Sequence, residues 1–484
     1  MSVLAAARDD VVELMLESPQ GTPIRYDLEA LCSALDIADP TRVVVEVDGS
    51  RRRAIVTIYP SNPLAEMPPP SLSDMLMDRQ GRIVVGRYHN GRPARRRMFD
   101  PSTGSAVRAM VFGTTGAGKS RTVQYLLACE KRNRVVSWYG DLKGGQSAPE
   151  AEGQVDWRAT TQEQVILMLR SAVAVAQERQ RRYSAAGRNA FLLGRPDPLI
   201  SVRIDEANRL LERGAPYREE ATYLVKELGR TGRSVGIGEE LDAQASHLEE
   251  LGGSDTLRAM LKEGEVTLLR WSSGMMRQLV ADGLLPTGDQ LMPIPKSLQP
   301  RVLRSQFDVL GGDEDDDGPG TQGMGYLLSG PHPTAMMRHF RIGSITPTPG
   351  LDPEILALYG DDEPARLEEA SQQAAGEAYA ARHDPAAMDA LFQALQSDQE
   401  QQPRTAGGGP SGSPRRSAAR MEERIVSALA GADEPLSADD ILAAVNADGG
   451  REVKIGSVRT TLTALVDSGD VVRAAHGLYA PTSN

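Results

Sequence analysis

The spacing of apolar positions changes several times along this chain. Residues 28–35 have the spacing of a short helix. "RVVVEVDGSRRRAIVTIYP" (42–60) then reads as two strands around an Asp48-Gly49 turn. "MPPPS" interrupts the pattern at 67–71, and "GRIVVGRYHNGRPARRRMF" (81–99) reads as a second hairpin turning at Asn90-Gly91. Residues 1–80 are therefore expected to form a small α+β domain. From 107 to 345, strand-length apolar runs alternate with helical ones. "AVRAMVF", "RVVSWYGD" and "PLISVRIDE" are strands; "RTVQYLLACE", with Val123, Leu126 and Leu127 on one face, and "EQVILMLRSAVAVAQERQRRY" are helices. Such alternation predicts an α/β domain, a parallel sheet covered by helices, over 81–348. The order fades over 349–419. "DDEPARLEEASQQAAGEAYAARHD" is expected as isolated helix, and "QSDQEQQPRTAGGGPSGSPRRS" has the composition of a flexible linker. Periodicity returns over 420–484. "MEERIVSALAG" is amphipathic, "LSADDILAAVNA" opens on Ser437 with Asp440 three residues later, and "GSVRTTLTALVDSGD" places Val458, Leu462, Leu465 and Val466 on one face. "DVVRAAHGLYAP" follows as a hairpin. Three helices and a two-stranded ribbon make the winged-helix layout.

Bulk composition narrows the class. The 484 residues are 40% hydrophobic and 25% charged, as in ordinary globular proteins, and only 4% aromatic, so the cores must be aliphatic. A net charge of −12 argues against nucleic-acid binding by the whole surface and leaves room for a local basic patch. Cys32 and Cys129 have no metal-ligand spacing and imply no disulfide framework. No apolar run is long enough to span a membrane, and the first residues lack a signal-peptide pattern, so a cytoplasmic location is expected, with any membrane attachment made through a partner.

"GTTGAGKS" (113–120) is a complete phosphate-loop pattern between a strand and a helix. Its glycines let backbone N–H groups wrap phosphates, and the following helix aims its positive end at them. Gly113, Thr114, Thr115, Gly116, Ala117, Gly118, Lys119 and Ser120 are the expected ATP cradle. Lys119 reaches the β- and γ-phosphates and Ser120 takes Mg²⁺. "LISVRIDEANRLL" supplies a second half: Asp205 ends a buried strand and is placed to hold Mg²⁺ through water, and Glu206 to orient and deprotonate the attacking water. The acidic run Asp313–Asp317 is expected as a solvated loop, not a metal site.

These blocks, with others in the same order, resemble the FtsK/SpoIIIE family of DNA pumps. "WYGDLKGG" is similar to that family's Asp-x-Lys-Gly segment, and "GRTGRSVGIG" to its Gly-Arg-x-x-Gly-Ile segment. "LDAQ" puts Gln244 at the position of the γ-phosphate sensor. "RWSSGMMRQLV", "GLLPTGDQLMP" and "GMGYLL" resemble later family blocks. The likeness covers roughly 82–345 and is nearest to TraB-type plasmid transfer proteins of actinobacteria. It implies a RecA-like motor using ATP and Mg²⁺, assembled as a hexamer around double-stranded DNA. Arg233 or Arg230 would serve a neighbouring subunit as an arginine finger, and Arg277 matches a family arginine near the nucleotide or interface. One departure stands out: "GIGEELDAQ" puts Glu239, Glu240 and Asp242 where an apolar strand is usual, which is costly unless they are paired.

In the C-terminal region acids outnumber bases, so a DNA-reading face must come from Lys454, Arg459, Arg473 and His476, with Arg459, Thr460 and Thr463 toward the major groove. A protein-binding winged helix is the alternative. The expected function is ATP-driven translocation of double-stranded DNA for conjugative transfer. A chromosome-segregation pump, an origin-binding ATPase with a winged helix, and a secretion ATPase of the same superfamily are the alternatives.

Overall fold

A computed structural model describes residues 2–8, 10–244, 263–270, 291, 293–297, 320–401, 424–430, 432, 435–447, 455–468, 471–475 and 478–481. The chain divides into two compact units, Met1–Gln399 and Glu400–Asn484.

The first unit begins with a four-stranded antiparallel sheet in the order β1-β2-β4-β3. β1 (Ser2–Arg8) and β2 (Val11–Glu17) form a hairpin that the sequence reading did not anticipate. Helix α1 (Leu28–Ala34) follows, then β3 (Val43–Val47) and β4 (Arg53–Ile58), paired around the expected turn. Ile24, Cys32, Val43, Val45, Ala54 and Val56 form its small core.

The main body is a ten-stranded sheet in the order β11-β10-β12-β13-β9-β14-β15-β16-β5-β6. The strands are β5 (Arg82–Tyr88), β6 (Pro93–Arg97), β9 (Ala109–Gly113), β10 (Val136–Asp141), β11 (Trp157–Ala159), β12 (Ile200–Asp205), β13 (Ile237–Ala243), β14 (Glu265–Leu269), β15 (Met324–Leu327) and β16 (Met337–His339). β7 (Phe99–Asp100) and β8 (Ser105–Ala106) form a separate short ribbon. The six strands from β11 to β14 are parallel, and the remaining four run antiparallel. This is the α/β, RecA-like P-loop class expected from the sequence. Buried on both faces, β10 and β13 are covered along their whole length, as parallel strands sandwiched by helices must be.

Helix α2 (Leu72–Met75) leads into the sheet, and α3 (Lys119–Arg132) is enclosed by it. Every α3 residue from Thr122 to Lys131 is buried. The sheet curls far enough that Tyr125 Oη donates to the carbonyl of Val84 on β5, and Arg96 on β6 reaches Glu240 on β13. The hairpin at 81–99, expected at the start of the motor, is therefore one wall of the α3 chamber. Helices α4 (Gln162–Ala185), α5 (Asn208–Leu211) and α6 (Arg218–Thr231) pack against the sheet.

The stretch expected as an acidic linker differs over its first half. Helices Pro353–Tyr359, Glu369–Ala380 and Pro385–Gln401 form there, and Ile355, Tyr359, Tyr379, Met388 and Phe392 are buried in the same core as the sheet. Tyr379 stacks with Trp138 and Trp157, and its hydroxyl donates to Asp156 at 2.8 Å. Composition misled here because scattered aromatics, each filling one deep site, leave a weak periodic signal in an Ala/Glu/Gln-rich stretch. Residues 402–419 lie outside the described residues.

In the second unit, a helical segment 424–430, a strand β17 (Leu436–Ser437), helices Ala438–Ala447 and Ile455–Ser468, and strands β18 (Val471–Ala475) and β19 (Leu478–Pro481) surround Ile425, Leu429, Ile441, Val445, Val458, Leu462, Leu465 and Val471. The strands pair in the order β17-β19-β18. Asp440 caps the first of these helices with Ser437 in a reciprocal pair of bonds.

Candidate functional site

The loop after β9 folds for local reasons. Gly116 and Gly118 take left-handed φ values of 74° and 101°, which favour glycine. A Cβ on Gly118 would come within 2.8 Å of the Gly323 backbone nitrogen, so the residue is also sterically required. Gly118 caps α3 without a side-chain bond, leaving the first backbone N–H groups of that helix directed at the loop. Ala117 N–H bonds back to the Thr114 carbonyl, closing the cradle.

Sheet order brings the distant acids here. β13 lies between β9 and β12, so the three strands end side by side. Lys119 Nζ is 3.3 Å from Asp205 Oδ1 and 2.8 Å from Glu206 Oε1. Gln244, immediately after β13, donates through Nε2 to Glu206 Oε2 at 3.1 Å. Lys119, Asp205, Glu206 and Gln244 are thus brought together, as expected. Ser120, half-buried at the start of α3, belongs to the same loop. Thr115 is exposed at its tip.

Glu206 is 1% exposed and sits at φ 56°, in the left-handed region. Non-glycine residues held there are concentrated at functional sites. Burial alone would raise its carboxyl pKa, but hydrogen bonds and charge from Lys119 and Lys143 outweigh burial and bring it to about 2. Burial opposes the charge on Lys119, and Asp205 and Glu206 overcome that and raise its pKa. Asp205 is fully buried, and its Oδ2 has no hydrogen-bond partner. A carboxylate oxygen left unpaired beside Lys119 of the phosphate loop suits water-mediated Mg²⁺ binding.

Two residues outside the expected catalytic and cofactor set are part of the site. Lys143 Nζ lies 2.6 Å from Glu206 Oε1, held by a tight turn in which Asp141 accepts the Lys143 and Ser147 backbone N–H groups. Its signal was present in the "GDLKGG" segment. Arg270 follows β14 and is 6% exposed; its Nη1 would lie 3.5 Å from a Cβ on Gly116. It opens the "RWSSGMMRQLV" block, but its place beside the phosphate loop was not read from that block.

Arg233 is not in this site. It is exposed in the turn before β13, whereas Gln244 follows the end of the same seven-residue strand. About 3.3 Å per residue separates the two by the full width of the sheet. Arg230 is exposed on α6 and pairs with Glu227. Arg277, the run Asp313–Asp317, Lys454 and His476 lie outside the described residues, as do 271–280 of the block that opens at Arg270 and all of the block 283–293 except Leu291 and Pro293.

The acids of β13 resolve differently from one another. The strand is full length, and all three are buried. Glu240 bonds Arg96 at 2.5 Å and also pairs with Arg203, which in turn bonds Glu130 at 2.9 Å. Burial would raise the Glu240 pKa, but the two guanidiniums lower it. Asp242 is 3.7 Å from Arg203 and is pushed upward by burial and by Glu240. Neither oxygen of Glu239 has a partner, and burial pushes it up to about 8.

No family model matches the chain, and no curated protein matches it. Among solved structures it is similar to the conjugation coupling protein TcpA of pCW3, a monomer form with ATPgS. Identity there is 17% and the TM-score 0.40, over 56% of this chain and 77% of that one. It is also similar to the cytoplasmic domain of the Thermomonospora curvata type VII secretion ATPase EccC (17% identity, TM-score 0.41, 71% of this chain and 35% of that one). A third is EssC (ATPases 2 and 3) from Geobacillus thermodenitrificans (13% identity, TM-score 0.40, 69% and 52%). The chain spans between a third and about half of those two secretion ATPase chains.

Proposed function

We propose that this protein is an ATPase that drives translocation of double-stranded DNA, in the manner of the FtsK/SpoIIIE pumps its motifs resemble, for conjugative transfer of a plasmid or integrated element. The observation that carries the ATPase part is the convergence of Lys119, Lys143 and Gln244 on Glu206, beside the unpaired oxygen of Asp205. Bound ATP would lie on residues 113–120, with Mg²⁺ between Ser120 and Asp205. Mg²⁺ would neutralise charge on the transferring phosphate. Glu206 would orient the attacking water and take its proton. With both lysines bonded to it, Glu206 is a weak base. A phosphate that draws Lys119 away removes one of the two cations holding its pKa down, making it a better proton acceptor. Gln244 would report γ-phosphate occupancy to β13.

The DNA part is supported by motif order and by the second unit, which we read as a winged helix from its order of helices and strands. Arg459 and Arg473 are exposed there, on the second helix and on β18. We place duplex DNA as the partner, with a homo-hexameric ring in which Arg233 serves the neighbouring subunit. No described helix is long and apolar enough to cross a membrane; a membrane partner protein is part of the proposed assembly.

DNA-stimulated ATP hydrolysis by purified protein, abolished by Lys119→Ala, is the test. Hydrolysis unaffected by that substitution would sink the ATPase reading. Displacement of a third strand from triplex DNA separates a pump from a DNA-binding switch: absence of displacement with hydrolysis intact removes translocation and leaves the ATPase.

A further inference from the structure

Arg95, Arg96 and Arg97 are consecutive on β6. Strand alternation sends the middle residue to one face and its neighbours to the other. Arg96 is inside, 3% exposed and bonded to Glu240. That buried anchor sets the register and turns Arg95 and Arg97 outward. Across the hairpin, Arg97 is directly opposite Arg82. Like charges opposed on paired strands destabilise a sheet, and local violations of this kind gather at functional sites.

Arg82, Arg95 and Arg97 line a cleft of about 430 Å³, together with Arg108 and Arg233. Three acids also line it. Asp100 pairs with Arg97 at 3.2 Å, Glu263 with Arg108 at 3.3 Å, and Glu265 accepts from Ser329 at 2.9 Å. Asp78, outside the cleft, pairs with Arg82 and lies 3.9 Å from Arg95. Arg233 has no ion-pair partner among the described residues. Five arginines against three acids leave positive charge in excess. Arg108 is 6% exposed, and burial lowers its pKa, so an anion brought against it would be favoured twice, by charge and by desolvation already incurred.

We propose that this cleft is a second anion site, for an oligophosphate, at the opposite ends of the parallel strands from the phosphate loop. Guanidinium forks match phosphate oxygens bidentately, and a pocket of this volume is in the range that small ligands occupy. Two sources supply that chemistry: free oligophosphate, and the phosphate chain of a nucleotide on the loop of a second copy. Only the second source rests on the proposed assembly.

The test is titration of the full-length Lys119→Ala protein with tripolyphosphate by calorimetry. For the free source, one site persists in dilute protein and weakens at least tenfold in Lys119→Ala carrying Arg97→Gln and Arg233→Gln. Tripolyphosphate raises the melting temperature of the first protein but not of the second. For the second-copy source, dilute Lys119→Ala binds nothing, while ATP-dependent self-association of the otherwise native chain is lost with the same arginine pair. An Arg97→Lys, Arg233→Lys version, which keeps charge and loses the fork, retains part of either effect and guards against misfolding. Glutamine substitutions that leave both tripolyphosphate binding and self-association unchanged overturn the proposal, as does a loss confined to duplex DNA binding. Failure of the ATPase reading shows separately, as equal ATP binding by the native and Lys119→Ala proteins.

Discussion

The two ends of the parallel strands collect charge in opposite ways. At the carboxyl ends, Asp205, Glu206 and Lys119 are buried, Lys143 is part-exposed, and each lysine meets an acid at 2.6–3.3 Å. At the amino ends, arginines outnumber acids, most are part-exposed, and two stand opposite each other on paired strands. Between the ends runs a chain of buried groups: Asp242, Arg203, Glu240 and Arg96, each 5% exposed or less. The difference shows that charge alone does not mark a site. The lysines and acids of the carboxyl end pair with one another and leave one carboxylate oxygen over, whereas at the amino end Arg233 has no ion-pair partner among the described residues.

Substitution at the carboxyl end has the largest expected effect. Glu206→Gln keeps the hydrogen-bonding shape and removes the base, so turnover should fall ~10²–10⁴-fold with ATP binding retained; equal turnover in a steady-state assay would contradict the assigned role. Next is the connecting chain. Glu240→Ala strands Arg96 beside Arg203 in the core, and loss of one member of a buried pair costs about 3–5 kcal/mol. A lowered denaturant midpoint in equilibrium unfolding is the readout, and an unchanged midpoint would show that the pairs are not formed.

Glu239, one residue earlier, supplies a contrast in pH. Its folded pKa, raised to about 8 by burial with only Arg108 opposing, exceeds the unfolded value, so between the two the folded state holds the extra proton. Stability should therefore be full below the ordinary glutamate range and fall as pH rises to 8. At about 1.4 kcal/mol per pKa unit the loss is on the order of a few kcal/mol. Glu239→Gln should flatten that slope in melting curves taken from pH 5 to 8.5; an unaltered slope would place the titrating group elsewhere. The smallest effect is at the amino end. Arg97→Gln relieves the repulsion from Arg82 but gives up the Asp100 pair, so stability should change by less than about 1 kcal/mol in either direction. A larger loss in a thermal melt would show that Arg97 is structural and blunt the contrast between the two ends.

Much of the site was legible because it is written in contiguous motifs. The phosphate loop needs glycines where φ is positive, and Asp205-Glu206 must close an apolar strand. Lys143 was visible in its block but gained a role only from its 2.6 Å approach to Glu206. Arg270 opened the "RWSSGMMRQLV" block but gained its place beside Gly116 only from the fold, because nothing local tells a basic residue after a strand which loop it will meet. The hairpin β1–β2 and the helices Pro353–Tyr359 and Pro385–Gln401 were missed, and the helix expected over 361–384 was read as isolated, for a related reason: apolar residues such as Leu14, Leu16, Tyr359 and Tyr379 pack against remote parts of the chain.

Amino-acid order by itself determined the α/β class, the loop that cradles phosphate and the acids that face it, since backbone conformation and strand burial restrict which residues each can use. Only the tertiary structure decided the fate of "EELDAQ". Glu240 and Asp242 are costly or tolerable depending on whether Arg96, more than 140 positions before Glu240, and Arg203 reach them, while both oxygens of Glu239 stay unpaired. That outcome depends on a sheet that curls around α3, and curvature is a property of the assembled strands, not of any one of them.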